Sequence, residues 1–302
     1  MKIIITGVSG FVGQNLSKYL KEKHDDISAL SLRNSWVLDK NCDAIIHLAG
    51  KAHDTTNTSA DEEYFKVNRD LTIQLFDEFL NSEIKDFFYF SSVKAAADTV
   101  DGILDETHQS NPQTPYGKSK LEAEKYLLSK ELPAGKRLFI VRPCMIHGPG
   151  NKGNLNLLYR VVKKGLPWPL AGFENRRSFL SIGNLSFMIY QMLHNKHVPS
   201  GIYNFSDDQD ISTNDLVSFI AKKIGKQERL WKVNSGLILK LAKIGDVIGL
   251  PLNSERLKKL TESYQVSNQK IKSALKIEHL PLSVYQGLEV TIRSFVEQKT
   301  SK

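Results

Sequence analysis

Short apolar runs alternate with segments of helical periodicity through the first half of the chain. The apolar runs predict strands at residues 2–6, 27–32, 42–49, 86–91 and 137–142, and the periodic segments predict helices at residues 11–23, 61–80 and 115–130. This alternation is typical of a doubly wound parallel sheet. Only ten residues separate Leu32 from Asp43. A full nucleotide-binding half has a helix and a strand there, so we expect both to be trimmed or absent.

After Gly150 the pattern changes to helices joined by short extended pieces. The helices are predicted at residues 155–164, 184–194, 213–224, 236–248 and 282–296. We therefore predict an α/β fold, in which residues 1–150 form a Rossmann-type doubly wound parallel sheet that binds NAD(P). Residues 151–302 form a smaller, mostly helical C-terminal substrate domain. The chain is expected to return to the sheet domain around residues 178–204.

One C-terminal segment, Gly236 to Leu252, is apolar enough to lie on a membrane surface. Its lysines, Lys240 and Lys243, are few, whereas a membrane-surface helix is usually rich in lysine or arginine on its polar face. A core-facing helix of the second domain is the favoured interpretation.

Composition excludes several classes of protein. The 302 residues include no run near the roughly 20 apolar residues that a membrane span needs. The apolar run before Thr6 is too short for a secretory signal. Two cysteines, Cys42 and Cys144, are too few for a disulfide framework or a dedicated zinc site. We therefore expect no metal and a reducing, cytoplasmic location.

The charge is moderately basic, with 41 basic and 33 acidic side chains and a formal charge of +8. The lysines are scattered rather than gathered into a stripe with interleaved aromatic residues, which a nucleic-acid-binding surface would need. We expect a solvated basic surface, part of which binds phosphate-bearing small molecules.

A glycine-rich turn, TGVSGFVG at residues 6–13, follows the first predicted strand and opens the first predicted helix. Gly7, Gly10 and Gly13 let the backbone turn sharply, approach a pyrophosphate closely and pack helix against strand. The helix N-terminus then offers free N–H groups to the anion. The strand–turn–helix context predicts a dinucleotide-binding site.

The residue that usually selects NAD is missing. In dinucleotide-binding folds an acidic residue about 20 positions after the glycines holds the adenosine ribose, but residues 30–35 here read LSLRNS. Arg33 could pair with the 2′-phosphate of NADP, or it could be a surface residue on a shortened loop. We favour NADP(H) and keep NAD(H) as the alternative.

The pattern Tyr-x-x-x-Lys occurs four times, and its context selects one copy. The copies are Tyr19/Lys23, Tyr116/Lys120, Tyr126/Lys130 and Tyr159/Lys163. Only Tyr116 lies 24 residues after a serine, Ser92, that ends an apolar predicted strand. Its helix also has a clean start, with Thr114 as N-cap and Pro115 at the first helical position. We predict Ser92, Tyr116 and Lys120 as the catalytic residues.

These residue types can couple proton transfer to hydride transfer. Tyr116 and Lys120, four residues apart, lie on one helix face. We expect the ammonium, and an oxidised nicotinamide, to lower the tyrosine pKa from about 10. The tyrosine could then exchange a proton with a substrate hydroxyl while hydride moves at the same carbon. Ser92 would hydrogen-bond the reacting oxygen, and Lys120 would reach the nicotinamide ribose.

Several further segments complete a resemblance to a known family. They are HLAG at 47–50, VN at 67–68, FSSVKA at 90–95, YGKSK at 116–120, RPCMIHGPG at 142–150 and NRRSF at 175–179. From Met1 to about Leu288 the chain resembles the extended short-chain dehydrogenases/reductases of the NAD-dependent epimerase/dehydratase family. The matching branch contains UDP-sugar 4-epimerases and UDP-4-keto-sugar reductases.

Motif and resemblance together imply roles for individual residues. Those expected to contact the cofactor are Gly7, Gly10, Phe11, Val12, Gly13, Arg33, His47, Leu48, Ala49, Gly50, Asn68, Tyr116, Lys120 and Pro143. Those expected to contact a UDP-sugar are Ser92, Tyr116, Asn154, Arg177 and Arg256. Arg177 would meet the pyrophosphate, although its pair with Arg176 could also be a plain surface pair. The helices at 61–80 and 115–130 resemble those that pair in dimeric relatives, which implies a homodimer.

Two departures from the family narrow the reaction. Sugar 4,6-dehydratases carry an Asp-Glu pair directly after the catalytic hydroxyl residue, whereas Val93 and Lys94 follow Ser92. The second departure is the missing acidic residue for the adenosine ribose, where Arg33 stands instead. A reductase must exchange NADPH, whereas an epimerase recycles tightly bound NAD. Arg33 therefore favours a reductase. The expected substrate is a UDP-4-keto-6-deoxy-N-acetylhexosamine made for surface polysaccharide. The alternatives are a UDP-glucose or UDP-N-acetylglucosamine 4-epimerase, and a non-catalytic dinucleotide sensor, which would usually have lost the tyrosine or the lysine.

Overall fold

The computed structural model describes residues 1–51, 60–151, 153–248 and 253–297, and these form the predicted α/β fold. The strands among them are β1 (Lys2–Thr6), β2 (Asp26–Leu30), β3 (Ala44–His47), β4 (Asp86–Phe90), β5 (Ile103–Leu104), β6 (Arg137–Pro143), β7 (Met145–His147), β8 (Phe179–Ser181), β9 (Gly201–Phe205) and β10 (Gln265–Val266). The α-helices are α1 (Phe11–Glu22), α2 (Asp61–Phe65), α3 (Leu71–Leu80), α4 (Pro115–Leu128), α5 (Asn154–Lys163), α6 (Ile182–His194), α7 (Thr213–Lys223), α8 (Ser235–Ile248), α9 (Ser254–Thr261), α10 (Gln269–Leu275) and α11 (Val284–Glu297). A 3₁₀ turn, Val93–Ala95, follows β4.

The central sheet has six parallel strands in the order β2-β1-β3-β4-β6-β9. Strands β3 and β4 are buried at every residue, because helices cover both faces of the sheet. Thr6 pairs with Leu30 on one side and with His47 on the other. The strand order therefore reverses at β1, and the carboxyl ends of the strands meet at one edge. In open α/β sheets ligands bind in the crevice at such a switch point.

Three hydrophobic clusters hold these layers together. Ile3 and Ile5 belong to a cluster that also contains side chains of α1 and α6. Ile4 belongs to a second cluster, which contains side chains of α3 and α4. Alternate residues of a strand point to opposite faces, so the two clusters cover the two faces of the sheet. The third cluster joins α5, α7, α8 and α11 in the C-terminal half.

The predicted shortening after β2 is confirmed. Residues 31–43, all of them described, contain neither helix nor strand. The chain therefore crosses directly from the edge strand β2 to β3.

The helix predicted over residues 61–80 is present, and it contains a π-helical insertion that was not predicted. A π-helical turn, Lys66–Asp70, separates α2 from α3. Inserted π turns of this kind are frequent at functional sites.

The chain after residue 150 contributes to the sheet as well as to the third cluster. Strand β9 pairs with β6 at the edge of the sheet, and α6 packs against α1. The division into residues 1–150 and 151–302, with a return around residues 178–204, stays a prediction. None of the helices in the described part of the chain is long and apolar enough to cross a membrane.

Candidate active site

The glycine loop between β1 and α1 is a tight backbone cradle. Gly7 has a φ of +70°, and a Cβ placed on it would lie 2.8 Å from the Ala49 nitrogen. A Cβ on Gly13 would lie 2.4 Å from the Gly7 carbonyl oxygen. Gly10 is the N-cap of α1, whose first turn contains no acidic residue to neutralise the helix N-terminus. The cradle therefore fits the pyrophosphate of a dinucleotide.

Residues after β3 form the facing rim of the cradle. Ala49 donates its N–H to the Thr6 hydroxyl over 3.0 Å, and Leu48 and Ala49 are half-buried. Gly50 is exposed, and a Cβ on it would lie 2.9 Å from Asn68 Oδ1 and 3.2 Å from Lys120 Nζ. The rim thus lies between the glycine loop and two further residues that are predicted to contact the cofactor, Asn68 and Lys120.

Other predicted cofactor residues lie around the same edge. Phe11 and Val12 are half-buried at the start of α1, and Pro143 is buried at the end of β6. The Phe11 ring approaches a Cβ placed on Gly148 to 3.4 Å. Arg33 is exposed, three residues beyond the end of β2.

The side chain of His47 is part of the core rather than of the crevice. His47 is 1% exposed. Its Nδ1 lies 2.7 Å from the Thr6 hydroxyl and its Nε2 lies 2.9 Å from the Thr72 hydroxyl. Thr72 donates to the Asn68 carbonyl, so the network assigns the His47 proton to Nε2. His47 therefore ties β1 to the start of α3, and any contact with a cofactor falls to its backbone.

Acid should destabilise the fold through His47. Burial, with a smaller contribution from the Lys120 charge, lowers its pKa from 6.5 to about 3. The unfolded chain therefore binds a proton below about pH 6.5 that the folded chain refuses, so this contribution to stability is present above that pH and lost as the pH falls towards 3. We expect the free energy of unfolding to fall by on the order of a few kcal/mol across this window, measured by urea denaturation.

His47→Gln should show a shallower loss of stability across the same pH window. The matched control is His197→Gln, which changes an exposed histidine and should keep the wild-type slope. Equal slopes for His47→Gln and wild type would contradict this role of His47.

The catalytic trio predicted from the sequence is brought together. The Ser92 side chain is close enough to the Tyr116 hydroxyl to lower its pKa, and Ser92 accepts the Lys94 N–H over 3.2 Å. Helix α4 begins as expected, because Thr114 Oγ1 accepts the Gly117 N–H over 3.2 Å and Pro115 occupies the first turn. The start of α4 thus places Tyr116 beside the end of β4.

Gly117 allows the start of α4 to approach the 3₁₀ turn that follows β4. A Cβ on this residue would lie 2.4 Å from the Lys94 carbonyl oxygen and 2.7 Å from Pro112 Cβ. A side chain there would separate Tyr116 from Ser92. Sequence reasoning missed this role, although the glycine stands inside the YGKSK segment.

Lys120 is held as a buried cation. It is 5% exposed, and its Nζ donates to the Phe90 carbonyl over 2.9 Å and lies 4.9 Å from the centroid of the Tyr89 ring. Burial lowers its pKa to about 8, and the charge of Glu124, one helical turn away, opposes that shift.

Glu124, which sequence reasoning missed, is itself buried and fully paired. Its carboxylate accepts a hydrogen bond from Arg142 Nε over 2.9 Å and further hydrogen bonds from Arg142 Nη2 and the Ser91 hydroxyl. Its spacing of four residues from Lys120 was the available signal.

The prediction that the Lys120 ammonium lowers the pKa of Tyr116 is wrong. The pKa of Tyr116 is raised, chiefly by burial and also by Tyr64, while the interaction with Ser92 lowers it. The physical reason is that burial disfavours the charged phenolate, while the Lys120 ammonium donates to the Phe90 carbonyl. Tyr116 is therefore protonated at neutral pH.

Asn68 occupies the π-helical turn next to this group. It is completely buried, and its Nδ2 donates to Ser119 Oγ and to the Lys51 carbonyl, each over 3.1 Å. Ser119 donates in turn to the Tyr116 carbonyl over 2.9 Å. Asn68 thus braces both the rim after β3 and the first turn of α4.

Arg177 is connected to the same region through Tyr264. Arg177 forms backbone bridges with Ile211 and Tyr264. The Tyr264 hydroxyl donates to the Ala97 carbonyl over 2.6 Å and lies 3.3 Å from the carbonyl oxygen of Val93, next to Ser92. Burial lowers the pKa of Arg177. The side chains of Asn154 and Arg256, the other two predicted substrate residues, lie outside the described residues.

A family model described as "NAD dependent epimerase/dehydratase family" matches residues 3–205. UDP-glucose 4-epimerase of Vibrio cholerae is 29% identical over 98% of this chain and 95% of its own length. An N-acetyl-alpha-D-glucosaminyl-diphospho-ditrans,octacis-undecaprenol 4-epimerase of Escherichia coli O157:H7 is 26% identical over 98% and 96%, respectively. GDP-6-deoxy-D-mannose reductase of Pseudomonas aeruginosa is 25% identical over 73% and 79%. The relatives therefore include both epimerases and reductases.

Solved structures share the fold over almost the whole chain. MoeE5 in complex with UDP-glucose and NAD superposes with a TM-score of 0.76 at 17% identity, covering 99% of this chain and 100% of that one. RMD from Pseudomonas aeruginosa complexed with NADPH superposes with a TM-score of 0.73 at 19% identity, covering 98% and 99%. At these identities the likeness shows the fold.

Proposed function

The chain belongs to the NAD-dependent epimerase/dehydratase family, and on that premise we propose that it reduces a 4-keto group on a diphosphate-linked sugar. The observation that carries the proposal is that Ser92, just after the end of β4, interacts with Tyr116 at the start of α4, on the helix that also carries the buried ammonium of Lys120. This group lies at the edge of the sheet that also carries the glycine loop.

The three side chains have distinct tasks. A bound nicotinamide dinucleotide supplies hydride to C4 of the sugar. As the C4 oxygen gains charge, the O–H bond of Tyr116 breaks and its proton moves to that oxygen. Ser92 hydrogen-bonds the reacting oxygen, Lys120 contacts the nicotinamide ribose, and solvent returns a proton to the Tyr116 phenolate. The raised pKa of Tyr116 suits reduction, because the hydroxyl stays protonated before hydride transfer and can then donate its proton to the C4 oxygen.

NADP(H) is the proposed cofactor, with NAD(H) as the alternative. Arg33 is exposed just beyond the carboxyl end of β2, and Thr6, which opens the glycine loop, pairs with the last residue of that strand. The adenosine ribose binds near this point in folds of this type. An arginine there is suited to a 2′-phosphate, and residues 30–35 contain no carboxylate to hold a free ribose hydroxyl.

We expect stoichiometric oxidation of NADPH when the purified protein is given a UDP-4-keto-6-deoxy-N-acetylhexosamine. A charge-assisted contact with Arg33 should favour NADPH over NADH by roughly ten- to a hundredfold in kcat/KM. Arg33→Ala should remove most of that preference without lowering kcat at saturating NADPH. Lys196→Ala is the matched control, because Lys196 is exposed before β9, at the opposite edge of the sheet.

The alternative function is a UDP-sugar 4-epimerase. A relative named as UDP-glucose 4-epimerase supports it, and a second relative supports 4-epimerisation of an undecaprenol-linked sugar. UDP-glucose and UDP-N-acetylglucosamine, supplied alone, distinguish the two reactions. Conversion to the 4-epimer with no added dinucleotide and no change in reduced-nicotinamide absorbance would overturn the reductase. Ser92, Tyr116 and Lys120 would keep their roles.

A 4,6-dehydratase reaction is not proposed. Such a reaction needs an acid and a base beside the catalytic hydroxyl residue, and Val93 and Lys94 stand at those positions. Lys94 Nζ donates to the Asp98 carbonyl and lies 4.2 Å from the centroid of the Tyr264 ring. It therefore contributes a cation where elimination needs a carboxylate.

The proposed carrier of the sugar is UDP, with a polyprenyl diphosphate as the second candidate. Both present a diphosphate, for which Arg177 is the proposed partner. The undecaprenol-linked substrate in the name of the second relative supports the lipid carrier.

Further parts of the proposal rest on the resemblance. They are a dinucleotide domain of residues 1–150 with a return around 178–204, a substrate domain within 151–302, a homodimer through the helices at 61–80 and 115–130, and a cytoplasmic role in surface polysaccharide synthesis.

A further inference from the structure

Helix α8 carries apolar side chains on two faces. Ile238 and Ala242 are buried in the third hydrophobic cluster, at 4% and 0% exposure, as the core-facing interpretation predicts. Leu237, Leu241 and Ile244 are 51%, 45% and 51% exposed. Their spacing of four and three residues places them in one stripe along the helix. The stripe therefore lies outside the core that the helix helps to form.

Two further apolar side chains near the stripe are exposed, although Leu239, two residues from Leu237 and from Leu241, lies on another side of α8. Trp231, just before α8, is 57% exposed, and Leu239 is 49% exposed. Of the thirteen large hydrophobic side chains that are exposed among the described residues, five lie between positions 231 and 244. Such a concentration marks an interaction surface rather than scattered surface residues.

Cations outnumber carboxylates around this surface, with exposed Glu228 and Asp246 at its two ends. From Arg229 to Gly245 the sequence contains four cationic side chains and no carboxylate. The cations are Arg229, Lys232, Lys240 and Lys243, and all are exposed. A two-fold contact between copies of this chain would bring the same cations face to face. Anionic headgroups would pair with them, while tryptophan and leucine side chains enter the acyl boundary.

We propose that this α8 surface, formed by Trp231, Leu237, Leu241 and Ile244 with the nearby cations, docks on a bilayer that contains anionic phospholipid. Helix α8 has 14 residues, so it would lie in the plane of the interface and not cross it. The proposal deepens the polyprenyl-diphosphate candidate above and rests on it for its biological purpose. Its test uses no sugar, so its failure would leave the proposed reaction untouched.

The test is co-sedimentation of the full chain with vesicles. The protein should bind vesicles of phosphatidylcholine with phosphatidylglycerol more tightly than vesicles of phosphatidylcholine alone, and added salt should weaken that binding. Lys240→Gln with Lys243→Gln should weaken it by roughly tenfold or more. Leu237→Gln with Ile244→Gln should weaken binding to both kinds of vesicle.

The matched control is Leu128→Gln with Val290→Gln, which changes side chains that are 51% and 48% exposed on other helices. This control should bind vesicles like the wild type, and retained dinucleotide binding will show that each variant is folded. Absence of vesicle binding by the wild type, or equal binding by the α8 variants, would overturn the proposal. Lipid-free self-association that Leu237→Gln with Ile244→Gln abolishes would also overturn it, because a second copy would then cover the surface.

Discussion

Tyr116→Phe is expected to reduce turnover by about 10²–10⁴-fold while dinucleotide binding survives. The substitution removes the hydroxyl that interacts with Ser92 and would donate the proton. It keeps the ring and its edge contact with Tyr64, whose centroid lies 6.3 Å away, so α4 and the crevice should stay in place. Stopped-flow or steady-state NADPH oxidation measures the loss, and a fluorescence titration with NADPH measures binding.

The other Tyr-x-x-x-Lys pairs supply matched controls. The Tyr126 hydroxyl is hydrogen-bonded to the Asp77 carboxylate at 2.9 and 3.0 Å, so Tyr126→Phe should lower stability by about 1 kcal/mol and leave activity nearly intact. Tyr159 is buried in the third cluster, 5.3 Å from the Phe295 ring centroid. If Tyr126→Phe or Tyr159→Phe were inactive and Tyr116→Phe active, the assignment of the catalytic tyrosine would be wrong.

The parts of this site that could be predicted from sequence depend on local patterns. Strand–helix alternation predicts the parallel sheet, and the position of the glycine loop after β1 predicts the cradle at its edge. Ser92 and Tyr116 could be paired because a strand end and a capped helix start are both visible locally. Parallel strands then bring such ends to one side of the sheet.

The parts that could not be predicted depend on contacts between distant segments. The buried environment and the direction of the Lys120 ammonium decide the pKa of Tyr116, and neither is visible in a pattern of types and spacings. His47 reads as a cofactor residue in the HLAG segment, but its two nitrogens are engaged by Thr6 and Thr72 in the core. The π-helical turn that holds Asn68 likewise has no local signature, since its residues continue a helical period.

Gly7→Ala is expected to weaken dinucleotide binding by roughly a hundredfold or more, equivalent to about 3 kcal/mol. Two effects combine at this position: the φ of +70° disfavours any side chain, and the new Cβ would lie 2.8 Å from the Ala49 nitrogen and 3.0 Å from the Leu48 carbonyl carbon. The loop must therefore move away from the end of β3, which misplaces the N–H groups meant for the pyrophosphate. Isothermal titration with NADPH and with NADH measures the loss.

Gly135→Ala separates backbone strain from the clash, because Gly135 has a φ of +80° but a Cβ placed on it would meet no atom within 4 Å. It should lose about 1 kcal/mol of stability and no dinucleotide affinity. Gly10→Ala supplies an intermediate step, since its Cβ would meet the Gly7 carbonyl oxygen at 3.2 Å, and its affinity should fall between those of Gly135→Ala and Gly7→Ala. If Gly7→Ala is too unstable to titrate, Gly10→Ala still tests the cradle. Wild-type affinity in both loop variants, or an equal loss in Gly135→Ala, would show that the pyrophosphate does not bind between the glycine loop and the end of β3.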